Sequence, residues 1–205
     1  MARSLIFDLD GTLSDPFEGI ARCYDHALAA HHYPLVPRDE LAKLVGPPLD
    51  QCLRGLGVRE DEIADVIATY RVRYGAAGYA ENRLYDGISA MLGALGGTLG
   101  LCTSKRADFA ERILDLFGLR SRFAFVSGGD IGITKAQQLA ALLAAGTIDR
   151  DAIMIGDRAV DLEAAHANGL ASCGVLWGFG ARAELEAAQP RYLVETPAEL
   201  VRVLA

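Results

Sequence analysis

The chain has 205 residues, 51% hydrophobic and 23% charged, enough for one domain or two small ones around a sizeable core. A net charge of −7 excludes the broad basic face that a nucleic-acid binder needs, and no stretch is long enough to span a membrane. The four cysteines (Cys23, Cys52, Cys102, Cys173) are scattered without CxxC spacing; they read as reduced thiols of a cytoplasmic protein, not as a zinc site.

The first predicted element is the apolar run Leu5-Ile6-Phe7, a buried strand that passes straight into Asp8-Leu9-Asp10-Gly11-Thr12-Leu13. The apolar run is too short for the core of a secretion signal, which again points to the cytoplasm. From Pro16 to about Ala80 no strand pattern stands out. Phe17, Ile20, Ala21, Tyr24, Ala27 and Leu28 recur at helical spacing, and Pro34 and Pro37 end that helix. A second short helix spans 38–44. Val45-Gly46-Pro47-Pro48 breaks the chain before a third over 49–56. A fourth over 61–74 carries Ile63, Val66, Ile67 and Tyr70 on one face. Its acidic opening, Glu60-Asp61-Glu62, suits a helix N-terminus and a solvated face.

After a return linker over 80–87, strands and helices alternate. Helices are expected at 88–95, 107–117, 135–145, 162–167, 181–188 and 197–204. Strands are expected at 98–102, 123–126, 152–155, 172–176 and 192–194. Such alternation implies βα units and a parallel sheet covered on both faces. The expected fold is therefore α/β: a Rossmann-like parallel sheet core made of residues 1–14 and 81–205, with a small all-helical cap domain, 15–80, inserted after the first strand.

Polar residues gather at the strand ends. The first strand gives Asp8 and Asp10, the second Thr103 and Ser104, and the fourth Asp157 with Asp161 one helical turn on. The helix after the third strand opens with Lys135. In a parallel sheet these ends share one edge, where ligands bind. Each residue alone has a structural explanation as a turn, a helix cap or a surface charge; their convergence on one edge is what points to chemistry. Three carboxylates in one crevice repel one another unless a cation sits among them. An oxygen-only donor set favours a hard ion, Mg²⁺. Thr103, the amides after it and Lys135 suit phosphate oxygens.

This constellation resembles the haloacid dehalogenase-like phosphohydrolases over essentially the whole chain. The resemblance rests on Asp8-Leu9-Asp10-Gly11-Thr12, Thr103, Lys135, and Gly156-Asp157-Arg158 with Asp161 and Ala165-His166-Ala167-Asn168-Gly169. It implies that Asp8 is the nucleophile, forming an aspartyl-phosphate without an activating base. Asp10 is implied as the acid and base for the leaving alcohol and the attacking water. Asp8, the Asp10 carbonyl and Asp157 are implied as Mg²⁺ ligands, with Asp161 behind them orienting a bound water or Lys135. Thr103 and Lys135 would hold the transferring phosphoryl group, and Gly11, Thr12, Gly46, Ser104 and Lys105 would contact substrate.

Within that family, Gly46-Pro47-Pro48-Leu49 resembles the cap loop of phosphoglycolate phosphatases. Tyr70-Arg71, Arg73-Tyr74-Gly75, Glu81-Asn82-Arg83, Tyr85-Asp86-Gly87 and Gly156-Asp157-Arg158 look more like a 5′-nucleotidase-like branch. After Lys135 stand Ala136-Gln137-Gln138, where prolines are commoner. Asp10 with Asp157 and Asp161 argues against true dehalogenation. A phosphomutase is the first alternative; it calls for an arginine just after Gly46, and only Arg54 stands nearby. A phospho-accepting signalling module without turnover is the second; it lacks a helical insert and arranges its aspartates differently. His26, His31, His32 and His166 carry no assigned chemistry, and Trp177-Gly178-Phe179-Gly180 reads as a structural turn. The expected partner is a small-molecule phosphate ester, with no nucleic acid and no membrane, bound by a monomer or homodimer.

Overall fold

The computed structural model describes residues 3–204. Its elements in chain order are β1 (Ser4–Phe7), β2 (Ser14–Asp15), α1 (Phe17–Ala30), α2 (Arg38–Ala42), α3 (Leu49–Gly55), α4 (Ile63–Ala76), a 3₁₀ turn (Gly78–Glu81), β3 (Arg83–Leu84), α5 (Ile88–Ala94), β4 (Thr98–Thr103), α6 (Ala107–Leu116), a second 3₁₀ turn (Arg120–Arg122), β5 (Phe125–Gly128), α7 (Lys135–Ala144), β6 (Ile153–Gly156), α8 (Ala159–Ala167), β7 (Ala171–Val175), α9 (Arg182–Ala187), β8 (Tyr192–Val194) and α10 (Pro197–Leu204). Among these helices none is long and apolar enough to cross a membrane.

The core follows from the short apolar strands. All four residues of β1 are buried, and β6 is likewise buried throughout. A strand that is apolar on both faces needs cover on both sides, and crossover helices supply it. The result is a six-stranded sheet of order β5-β4-β1-β6-β7-β8, all parallel. Leu5 lies beside Leu99 of β4 on one flank and Ile153 of β6 on the other. From β1 the chain builds outward through β4 and β5, then crosses back to add β6, β7 and β8 on the opposite side. The direction of winding reverses at β1, and a crevice opens at the carboxyl end of such a switch point.

The four helices α1–α4 and the first 3₁₀ turn leave and rejoin the sheet through an antiparallel pair. Ser14 faces Leu84 and Asp15 faces Arg83. Two-residue strands carry no readable alternation, so the sequence shows neither. Other boundaries shift for local reasons. The strand expected from Phe123 starts at Phe125; Phe123 is buried just before it, and the Ala124 N–H donates to the Leu99 carbonyl of β4. The helix expected from Leu162 starts at Ala159, because the Asp161 carboxylate accepts the Arg158 N–H and caps the turn.

Aromatic rings join the helical segment to the sheet. Tyr24 of α1 packs edge-on to Tyr70 of α4, Tyr70 stacks on Tyr74, and Tyr74 packs edge-on to Phe109 of α6, with centroids 5.3, 5.9 and 5.0 Å apart. Close backbone approach closes the other side. A Cβ on Gly19 of α1 would lie 2.2 Å from the Gly78 carbonyl oxygen. In a helix interior alanine is favoured over glycine by roughly 0.8–1.0 kcal/mol. Here Gly19→Ala is expected to do the opposite and lower stability by about 1–3 kcal/mol through overpacking; the urea unfolding midpoint measures it.

Candidate active site

The carboxyl edge of the sheet collects the charged residues. Asp8 follows the last residue of β1, with its N–H donating to Ile155 O of β6 at 2.9 Å. Asp157 follows β6, and Asp161 lies in the first turn of α8. Thr134 and Gln137 form a reciprocal cap that starts α7 at Lys135. The cap aims the lysine inward: Nζ lies 3.0 Å from Asp8 Oδ2 and also pairs with Asp161 Oδ1, with both carboxylates and the lysine buried. Asp8, Asp157 and Asp161 each offer an oxygen within 4.8 Å of the others.

The charge balance here is uneven. Three buried carboxylates share the one ammonium of Lys135. Burial, then Asp161 and Asp8, raises the Asp157 carboxyl. Burial also raises Asp161, against the pull of Lys135. Such shifts mark a site short of positive charge. Asp8 Oδ1 is buried and has no protein partner. An unpartnered carboxylate oxygen among acidic neighbours fits a hard divalent cation held by oxygen donors.

Asp157 is held from three sides. Thr12 Oγ1 donates to Oδ1 at 3.1 Å, and Phe179 N–H donates to Oδ2 at 2.9 Å. Gly11 adopts a left-handed φ of +84°, and a Cβ there would fall 2.1 Å from Asp157 Oδ2; only glycine lets this turn pass the carboxylate. Thr12, expected to contact substrate, has its side chain fully buried against Asp157. The turn after β7, read from sequence as merely structural, also serves this carboxylate. Besides the Phe179 amide, Trp177 Nε1 donates to Thr12 O at 2.9 Å, and Gly178 leaves room for the Asp157 side chain. The run of aromatics and glycines directly after a strand was the only local hint.

The remaining candidates are placed as follows. Thr103 ends β4 and is buried; its Oγ1 accepts the Lys105 N–H at 3.3 Å. Asp10, Gly46, Ser104 and Lys105 line one cavity of about 110 Å³ with Tyr24, Tyr70, Arg71 and Tyr74. Lys105 Nζ lies 2.7 Å from Asp10 Oδ2. Burial raises the Asp10 carboxyl, with Lys105 opposing. Gly46 sits against Arg158, whose Nη1 donates to Val45 O at 2.6 Å and whose Nε donates to Glu184 at 2.9 Å. Arg71 pairs with Asp130 at 2.8 Å across the cavity, whereas Arg73 turns to Glu81. Arg54 is taken up by Asp50 and Glu60. His166 Nε2 shares a hydrogen bond with Ser172 Oγ at 2.8 Å, on the helix and strand beyond the site.

Comparison with known proteins agrees with this geometry. Residues 5–175 match the family model described as haloacid dehalogenase-like hydrolase. The 5′-nucleotidase of Pseudomonas aeruginosa is 39% identical, over 98% of this chain and 95% of its own. Tyrosine-protein kinase PtkA of Mycobacterium tuberculosis is 36% identical over 86% of this chain, which spans 62% of that protein's length. Among solved structures, a predicted phosphatase from Clostridium acetobutylicum superimposes with a TM-score of 0.93 at 35% identity, covering 99% of this chain and 98% of its own.

Removal of Lys135 tests the charge balance. Lys135→Met leaves Asp8 and Asp161 buried without their cation. The expected loss of stability in metal-free buffer is about 3–5 kcal/mol, read from chemical unfolding.

Proposed function

Because the chain belongs to the haloacid dehalogenase-like hydrolases and is a phosphoric monoester hydrolase of that family, we propose that it uses Mg²⁺ and an aspartyl-phosphate on Asp8 to hydrolyse a small phosphate monoester. The observation that carries this reading is the buried cluster of Asp8, Asp157, Asp161 and Lys135, with Asp8 Oδ1 unpartnered. The side chains of Asp8 and Asp157 and the carbonyl of Asp10 would hold the ion. When bound, it supplies positive charge that offsets repulsion between a carboxylate and a phosphate dianion.

The protein groups then divide the work. The Asp8 carboxylate attacks phosphorus, and the bond to the leaving oxygen breaks. Asp10 gives that oxygen a proton, then takes one from the water that opens the acyl-phosphate. Lys135 and the Thr103 hydroxyl neutralise and orient the phosphoryl oxygens. Asp161 keeps Lys135 in place through their ion pair. Ser104, Gly11 and Gly46 contribute to the substrate's surroundings. The helical segment, which we take as a cap domain over 15–80, encloses the cavity and selects the leaving group.

Two features narrow the class. Arg54, the arginine that follows the cap loop most closely in sequence, is already bound by two carboxylates, which favours hydrolysis over phosphomutase chemistry. The full-length similarity to a 5′-nucleotidase favours a nucleoside 5′-monophosphate, with 2-phosphoglycolate second on the strength of the Gly46-Pro47-Pro48-Leu49 loop. Four buried free cysteines suit a cytoplasmic setting, where the protein would act as a monomer or homodimer.

Phosphate release from p-nitrophenyl phosphate should require Mg²⁺, stop on chelation and return on adding Mg²⁺. Asp8→Asn should abolish turnover and any acid-stable labelling of the protein. Asp10→Asn should still label but lower kcat by about 10²–10⁴-fold. A single stoichiometric labelling of the wild type without release would instead identify a phospho-accepting module. In a panel of nucleoside 5′-monophosphates, 2-phosphoglycolate and sugar phosphates, a nucleotide should show the highest kcat/KM; equal values across the panel would refute the nucleotide assignment.

A further inference from the structure

We propose that the ion pair between Arg71 and Asp130 is a specificity determinant, selecting phosphate monoesters with an uncharged leaving group against those whose leaving group carries a carboxylate. The inference deepens the phosphatase reading and rests on it. Among the described residues three cations line the cavity, and each already has a carboxylate partner. Arg71 Nη2 donates to Asp130 Oδ1 at 2.8 Å. Lys105 Nζ lies 2.7 Å from Asp10 Oδ2 and donates to Tyr74 Oη at 2.8 Å. Arg106 Nε donates to Asp108 Oδ1 at 2.9 Å. Lys105, expected to contact substrate, thus has its ammonium on two protein groups.

Asp130 is fixed beside the residues that follow β4. The Gly129 N–H before it donates to Thr103 O at 2.8 Å and to Lys105 O at 3.0 Å. A Cβ on Gly129 would lie 2.7 Å from Ser104 O, so the loop lies close against that turn. Asp130 Oδ1 also accepts the Ile131 N–H at 2.8 Å. That amide, then Arg71, holds the carboxyl below the usual carboxylate range, so its charge is present at neutral pH. Arg71 reaches it from α4, where the neighbouring Tyr70 and Tyr74 rings stack. Much of the remaining wall is apolar or aromatic, with Ile20, Leu44 and Phe109.

A leaving group that carries a carboxylate would find no unpaired cation in this cavity. It can share the Arg71 guanidinium only by approaching Asp130, and like charges set side by side disfavour the wrong partner. Burying its charge without a cation is costly in itself. An uncharged group meets aromatic walls and, at the ion pair, donors and acceptors of zero net charge. Its own polar groups can bond there without repulsion. The pair therefore acts by exclusion, and it places 2-phosphoglycolate below a monoester whose leaving group is a neutral nucleoside.

The test measures kcat/KM for 4-carbamoylphenyl phosphate and 4-carboxyphenyl phosphate, which share a shape and differ in charge, at low ionic strength where such effects are least screened. It compares wild type, Asp130→Asn and the double variant Asp130→Asn with Arg71→Met, after thermal melts establish that each is folded. Wild type should prefer the amide ester by about tenfold. Asp130→Asn leaves Arg71 without its counter-charge and should raise the carboxylate-to-amide ratio about tenfold; adding Arg71→Met should remove that gain. A wild type with no preference for the amide would overturn the proposal. So would a ratio that Asp130→Asn does not move, which would make the pair a clasp between helix and loop, and so would a gain that survives the loss of Arg71. Each of these leaves the phosphatase reading intact. A wild type that hydrolyses neither ester would overturn that reading, and this inference with it.

Discussion

The ion pairs of Lys135 with Asp8 and Asp161 are the interaction on which the rest of the site depends. An ammonium buried among carboxylates is tolerable only when each charge has a partner, since an uncompensated buried charge is strongly destabilising. The sheet satisfies this through winding order. Asp8 comes from β1, Asp161 from the helix after the neighbouring strand β6, and Lys135 from the helix between β5 and β6. A different strand order would put the ammonium beyond reach of one or both carboxylates. The acidic surplus around Asp157 and the open oxygen of Asp8 is what a cation would meet at this edge of the sheet.

The same economy appears around Asp157. Its oxygens are held by the Thr12 hydroxyl and the Phe179 amide, donors from two loops far apart in sequence. Neither donor neutralises the carboxylate as a cation would. They fix its direction and leave its charge available. Rigidity and unspent charge together are what a ligand to a hard ion needs.

Much of this was legible in the sequence, for definable reasons. Four-residue apolar strands alternating with amphipathic helices dictate a parallel sheet, and the sheet then gathers Asp8, Thr103, Lys135, Asp157 and Asp161 at one edge without further information. The first and last helices of the segment from Phe17 to Ala76 were legible through their 3.6-residue spacing, and the two short ones between them through the prolines and glycines that bound them. The paired strands at Ser14–Asp15 and Arg83–Leu84 were not, because two residues have no period. Thr103 was read as a phosphoryl ligand and Thr12 as a substrate contact. Which of them faces Asp157 depends on the fold of the Gly11 turn, and a threonine's direction has no sequence signature. The service that Trp177 gives to the site is a contact across 165 residues, and that of Phe179 spans 22; both are invisible to any local pattern. Lys105 was recognised as belonging to the site but not its partners, since Tyr74 reaches it from a different layer of the molecule.

Trp177 gives this arrangement one more property. It is the chain's single tryptophan, and its indole N–H is bonded to the carbonyl of the residue whose hydroxyl holds Asp157. Indole emission responds to the polarity and charge of its immediate surroundings, so the molecule carries a built-in optical probe linked to its acidic centre through the two hydrogen bonds of Thr12. Occupancy of that centre is open to observation by fluorescence alone, with no dye, no label and no substrate turnover.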